Sequence, residues 1–253
     1  MSNNVEIVEK IIRSSNDDSE FKKIHFDSSN IKNKNQNFEN IIVNKPWGYE
    51  YLLYSSKEIS IWILKILKNQ KTSMHCHPNK KTSLVLLEGE ANLYTLDETI
   101  NLKSGNAVII DKGAFHRTSS EFGKDIIVME IETPTNKNDI VRYQDEYKRS
   151  NSGYETKESF SVAKNHDTLL NFNNIKNKPG TVGNCVIKVI NSKSKKTESL
   201  NEKTLICPII LKNKNSKGEV AIGEIFEKNI IKEKDILYMD LEEFLVIQKK
   251  QSK

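Results

Sequence analysis

His75, Cys76 and His77 form the stretch of this chain with the clearest chemical content, and His116 lies further along. The chain has five histidines, the others being His25 and His166. On a β-strand, residues two apart share a face. His75 and His77 can therefore aim their imidazoles at one place while Cys76 faces the other way. A third imidazole from a neighbouring strand would complete a set able to hold a divalent metal at roughly 2.0–2.1 Å per nitrogen. The same side chains could instead line a metal-free pocket that binds or protonates a ligand. Cys76 reads as a residue packed in a sheet interface.

Histidines so placed need strands to carry them, and the sequence supplies short strand-like runs from Pro46-Trp47-Gly48 onward. Runs fall at Tyr49 to Tyr54, Ile59 to Leu67, Thr72 to His77, Ser83 to Glu88 and Glu90 to Leu96. Ala107 to Asp111, Phe115 to Ser119 and Ile126 to Glu132 follow. Turn residues separate them, among them Gly89, Gly105, Gly113 and Gly123. Regular strands of this kind imply an all-β sandwich or closed barrel. Trp47 reads as a wedge at the barrel end, and Trp62, in phase with Leu64 and Ile66, as core.

Before the barrel, residues 1–44 read as a polar arm. Val5, Val8, Ile11 and Ile12 have helical spacing, and Asn16 to Asn40 is expected as an extended arm or loop. After the barrel proper, at residues 45–150, residues 151–180 read as a linker, with a short helix expected near Ser161 to Phe172. Residues 181–253 read as a small β-rich domain, structural or oligomerising in role. Its expected strands are Cys185 to Ile190, Leu205 to Lys212, Val220 to Phe226, Asp235 to Met239 and Phe244 to Gln248.

Composition excludes several classes. The net charge is +5, but the lysines are dispersed among asparagines and not clustered with aromatics, so no nucleic-acid partner is expected. No apolar run approaches the roughly 18 residues of a membrane span, and the start lacks the pattern of a secretory signal. Three cysteines, Cys76, Cys185 and Cys207, without a CxxC pair fit a reducing cytoplasm.

His75, Cys76 and His77, then Gly89, and then Gly105, Gly113 and His116 resemble the two motifs of the cupin superfamily. Thr82 stands where that family has a glutamate, and Asp111 where it has a proline. A closer resemblance spans Lys45 to Arg149, through Pro46-Trp47-Gly48, Phe115-His116-Arg117, Asp139-Ile140-Val141-Arg142 and Asp145-Glu146-Tyr147-Lys148-Arg149. It is to the cupin domain of type II mannose-6-phosphate isomerases and related sugar-phosphate cupins. The glutamine of the family's Gln-x-His-x-His is Ser73 here.

The resemblance implies a jelly-roll barrel with His75, His77 and His116 as ligands to a divalent metal: zinc, iron, nickel or manganese. Without the glutamate the ligand set is neutral and discriminates weakly among metals. It further implies an enzyme acting on a sugar phosphate or nucleotide sugar in surface polysaccharide synthesis, and a homodimer. Glu130 and Glu90 are the candidate general bases. Arg117 and Lys80 are the candidate phosphate contacts, although Lys80 and Lys81 follow Pro78 in a loop expected to be solvated. Arg142 and Arg149 are expected to pair with Asp139, Asp145 or Glu146. Two other functions are compatible with the motif: an iron-dependent dioxygenase built on a neutral three-histidine face, and a non-catalytic sugar-binding or assembly module.

Overall fold

In a computed structural model of the chain, the described residues are 7–24, 37–147, 155, 157–162, 169–191, 200–201, 203–212, 221–229 and 241–250. The N-terminal part contains β1 (Val8–Ile11) and α1 (Ser15–Lys23). The strands that follow are β2 (Ile41–Lys45), β3 (Gly48–Ser55), β4 (Ser60–Ile66), β5 (Met74–Cys76), β6 (Lys81–Glu88) and β7 (Glu90–Tyr94). Next come β8 (Thr99–Lys103), β9 (Ala107–Ile110), β10 (Arg117–Ser119), β11 (Ile126–Thr133) and β12 (Val141–Gln144). The last part holds β13 (Phe160–Val162), α2 (Phe172–Asn177), β14 (Gly180–Val182), β15 (Cys185–Asn191), β16 (Leu205–Leu211), β17 (Phe226–Glu227) and β18 (Leu241–Lys249).

The barrel is two facing sheets. One has eight strands in the order β1-β9-β6-β11-β4-β3-β2-β13. The other is built from β10-β7-β8 and β12-β5, joined by isolated bridges at Lys71–Ser119 and His75–His116. Trp62, Leu64, Leu84, Leu86, Leu93, Leu102, Val108 and Val128 fill the space between them as one apolar cluster. Trp47 and Trp62 are both buried there. The architecture is all-β, as the strand pattern implies, and is the jelly-roll barrel that the resemblance implies.

The opposite face of the large sheet is also covered. Ile61, Ile63, Val85, Leu87, Met129 and Ile131 share a cluster with Cys185, Ile187, Val189, Leu205, Cys207, Leu245 and Ile247 of the C-terminal sheet. That sheet has the order β14-β15-β18-β16-β17. Cross-links reinforce the contact: Ser83 Oγ donates to Gly223 O at 3.0 Å, and the Asn184 amide to Leu87 O at 2.9 Å. With apolar layers on both sides, β4, β6 and β11 are near-continuous apolar runs and not alternating ones.

Several local expectations are corrected. Val8 to Ile11 is not helical. It pairs in parallel with β9, and sheet pairing outweighs the weak helical spacing of so short a run. The first helix lies instead at Ser15–Lys23, inside the stretch expected to be extended. Its start is explained by a capping box between Ser14 and Asp17. Of the helix expected near Ser161 to Phe172, residues 163–168 lie outside the described residues; Ser161 and Val162 belong to β13, and α2 begins at Phe172 behind an Asn171 cap. The strand expected at Val220 to Phe226 is reduced to Phe226–Glu227. Those at Ile41–Lys45, Thr99–Lys103 and Val141–Gln144 were not foreseen. The strand expected at Asp235 to Met239, and His25, His166, Lys148 and Arg149, lie outside the described residues.

Candidate metal centre

β5 carries His75, and His77 follows directly after it. The loop from β9 to β10 carries His116. Backbone bonds fix the two segments: His75 N–H donates to His116 O at 3.1 Å, and His116 N–H to His75 O at 2.8 Å. Gly113 N–H donates to His77 O at 2.9 Å. Gly113 has φ +77°, in the left-handed region, and a Cβ there would lie 2.7 Å from the Arg13 guanidinium. The turn that presents His116 therefore needs a glycine.

The rings converge. Their centroids are 5.0 Å (His75 to His77), 4.5 Å (His75 to His116) and 5.4 Å (His77 to His116) apart. One ring nitrogen from each lies within 4.8 Å of the others. Each Nδ1 faces a backbone carbonyl: His75 to Ser73 O at 2.8 Å, His77 to Asp139 O at 2.6 Å and His116 to Ala114 O at 3.0 Å. A carbonyl only accepts, so each Nδ1 carries the proton and donates it. Each Nε2 is left with a bare lone pair. Those of His77 and His116 are buried with no hydrogen-bond partner. Buried polar atoms are rarely left so, and an Nδ1–H anchored to a carbonyl is the usual support for an Nε2 metal ligand.

The electrostatics agree. Burial lowers His116 to about 4 against the Ala114 bond, and Lys80 adds to the fall. Burial, with neighbouring positive groups, puts His75 and His77 well below the ordinary imidazole value. All three are neutral at physiological pH, as ligation requires. The donor set fits a divalent cation. Cys76 faces the other way, among Met74, Phe115 and Val141, and burial raises its thiol, so it is no ligand.

A cavity of ≈ 60 Å³ adjoins His75 and His77. It is lined by the candidates Glu130 and Lys80, by Arg142, and by charges the sequence reading did not single out: Lys45, Glu50, Glu132, Lys137 and Glu155. Lys137 Nζ is 3.3 Å from a carboxylate oxygen of each of Glu50, Glu130 and Glu132, and 4.0 Å from the centre of the Trp62 ring. Burial would lower the Lys137 value, but those three carboxylates raise it. Burial would raise Glu132, but Lys137 and Lys80 overcome it and hold it at about 2. Glu130 is raised by burial, with Lys137 opposing.

The candidate site residues separate. His75, His77 and His116 come together, and Glu130 joins His77: a ring nitrogen of His77 and carboxylate oxygens of Glu130 and Glu132 lie within 4.8 Å of one another. Glu90 does not join them. It sits at the exposed start of β7, with Lys103 Nζ 4.0 Å away, and lines no part of the cavity. Arg117 is also outside the cavity, on β10, with NH1 3.9 Å from Glu146. Lys80 is not solvated. It is 1% exposed and donates to Glu132 at 2.5 Å and to Asn136 O at 3.1 Å. Arg142 is buried, lines the cavity and stands in register with His75.

Residues 32–145 match the family described as mannose-6-phosphate isomerase C-terminal. No curated protein matches the chain. Among solved structures, an oxalate decarboxylase from Lactobacillus farciminis, in a formate complex, is similar at 18% identity and a TM-score of 0.37; the alignment covers 40% of this chain and 32% of that one. A cupin 2 conserved barrel domain protein from Rhodopseudomonas palustris is similar at 10% identity over 35% of this chain and 61% of that one, with a TM-score of 0.33. A Klebsiella pneumoniae protein with a double-stranded beta-helix domain shows 14% identity over 48% of this chain and 99% of its own, with a TM-score of 0.35. The family match takes in β2 to β12 and all three converging histidines, and this part of the chain is a cupin-type domain related to the C-terminal region of mannose-6-phosphate isomerase.

Proposed function

We propose that the barrel binds a divalent metal through His75, His77 and His116 and acts on a phosphorylated sugar or nucleotide sugar by an isomerase-type proton transfer. The observation that supports this most is the set of three Nδ1-anchored, neutral imidazoles with converging lone pairs. A bound metal would polarise a carbonyl or neighbouring hydroxyl oxygen of the sugar. The chain's own part is to carry the proton between adjacent carbons. Glu132 suits this poorly, since Lys80 and Ser60 hold its oxygens at 2.5 and 2.9 Å. Glu130 and Glu50 face the same cavity.

Room for the sugar comes from outside. The ≈ 60 Å³ beside the histidines suits a metal ion with its waters, whereas small-molecule sites usually measure roughly 300–1,000 Å³. A groove of ≈ 580 Å³ lies alongside, with Asn40, Tyr54, Asn138, Asn171 and Lys176 in its walls. Lys137 lines both spaces. In this reading the sugar body lies in the groove and its reacting end displaces the Lys137 side chain. The test is metal content of the purified protein and of His75→Ala, His77→Ala and His116→Ala. It is paired with incorporation of solvent deuterium into mannose 6-phosphate. Metal lost in each variant, together with exchange at C2, is the expected result. Equal metal content in all four proteins would overturn the site, and metal without exchange would overturn the isomerase.

The small cavity favours one other function, an iron-dependent dioxygenase with a compact substrate. Oxygen consumption by the iron(II)-loaded protein separates the two, because isomerisation leaves oxygen untouched.

A further inference from the structure

We propose that Glu130 supplies a fourth protein ligand, a carboxylate delivered from β11 in place of the one the cupin motif puts on β6. This rests on the metal site proposed above and deepens it. The motif position is Thr82, whose Oγ1 is buried and has no hydrogen-bond partner. Threonine offers no carboxylate, so the ligand place that the motif's acid would take is open.

The neighbouring strand fills it. In the β6–β11 register Glu132 stands opposite Thr82 and Glu130 opposite Leu84. Thr82, Leu84, Glu130 and Glu132 all point into the barrel, since Ser83, Val85, Met129 and Ile131 turn the other way. Opposed Cβ atoms in an antiparallel pair are about 4.5–5.5 Å apart. Glu132 is the residue opposed to Thr82 and Glu130 its diagonal neighbour, about 7–8 Å away and still within reach of a long side chain, so a carboxylate rooted one strand over reaches the volume served by one on β6. Carboxylate oxygens of both glutamates lie within 4.8 Å of a His77 ring nitrogen.

Of the two, Glu132 is already committed. Lys80 and Lys137 contact Oε1, and Ser60 donates to Oε2. Glu130 meets one ammonium, Lys137, at 3.3 Å through Oε2. It is the carboxylate able to turn to a cation without stripping Lys80, which is 1% exposed, of its partner. The same substitution would restore to the ligand set the negative charge that threonine at position 82 removes.

An oxygen donor matters more to manganese than to zinc, which three imidazoles already suit. The test is therefore titration of the metal-free full-length protein with Mn2+ and, separately, Zn2+, together with the visible spectrum of the Co2+-loaded form. Glu130→Gln should weaken Mn2+ binding by about tenfold or more, weaken Zn2+ binding less, and change the Co2+ spectrum. Adding Thr82→Glu to Glu130→Gln should restore Mn2+ affinity, a recovery that a merely structural role for Glu130 would not give. Thermal unfolding checks that the variants fold, and Glu130→Asp provides a milder second change. Mn2+ affinity unchanged in Glu130→Gln, or equal losses for both ions without rescue, would overturn the assignment while leaving the histidine site standing. No binding of any of these ions by the unaltered protein would overturn both.

Discussion

Lys80 and Glu132 sit inside the barrel with side chains each 1% exposed. Two charges so deeply buried hold each other by mutual attraction, and removing Glu132 leaves the Lys80 ammonium without its carboxylate. Glu132→Gln should cost about 3–5 kcal/mol in urea unfolding. Replacing both, as Lys80→Met with Glu132→Leu, should recover most of that, because no buried charge is then left without its partner. The histidines make a second prediction. Burial holds all three below the ordinary value, His116 at about 4. The unfolded chain therefore takes up protons near pH 6.5 that the folded, metal-free protein refuses. Their contribution to stability is complete above that pH and is lost as pH falls from about 6.5 towards 4. Denaturation midpoints of the metal-free protein between pH 7.5 and 4.5 should fall along this course, and His116→Gln should flatten it. A flat profile in the unaltered protein would count against neutral burial.

At the scale of elements, α1 acts on the site from outside. Phe21 and Ile24 pack on Phe115, Met74 and Cys76. Asp17 Oδ1 accepts the Phe115 amide at 2.9 Å, one residue before His116. Asp17→Ala should cost about 1–3 kcal/mol by leaving that buried N–H unpaired, and should speed hydrogen exchange at Phe115 relative to β4. Unchanged exchange there would show that the helix is only a cover. This device was not legible in the sequence, because Asp17 lies in a polar stretch whose partner is far along the chain. The paired histidines were legible, since strand phase is a local property. The inward carboxylates were half legible. Glu130 and Glu132 share phase with Ile126 and Val128, and Met129 and Ile131 make the other phase apolar as well. A strand with no polar face buries whatever acids it carries. Their lysine partners came from residues 78–80 and 135–138, loops in which a lysine ordinarily faces water, so tertiary placement alone revealed them.

Taken whole, the molecule is a sandwich of layers in which the large sheet is covered on both sides. Both tryptophans, Trp47 and Trp62, lie in the barrel, while Leu245 lies in the C-terminal sheet and is 0% exposed. Leu245→Ala should cost about 2–5 kcal/mol and shift the tryptophan fluorescence transition as much as the far-ultraviolet one. A separate early transition would show that the layers unfold independently. A second copy of the chain, where one binds, must use another surface, because the chain's own sheet occupies the large sheet's outer face. The cavity wall has its own consequence. Lys45, Lys80, Lys137 and Arg142 stand against Glu50, Glu130, Glu132 and Glu155, so the lining is already electrically balanced before any dication enters. An ion of charge two arriving alone would leave that interior in excess, and an anion arriving alone would leave it in deficit. Each should thus hold the other in place, by the same factor in both directions: inorganic phosphate should slow the escape of the cation, and the cation should retain the phosphate.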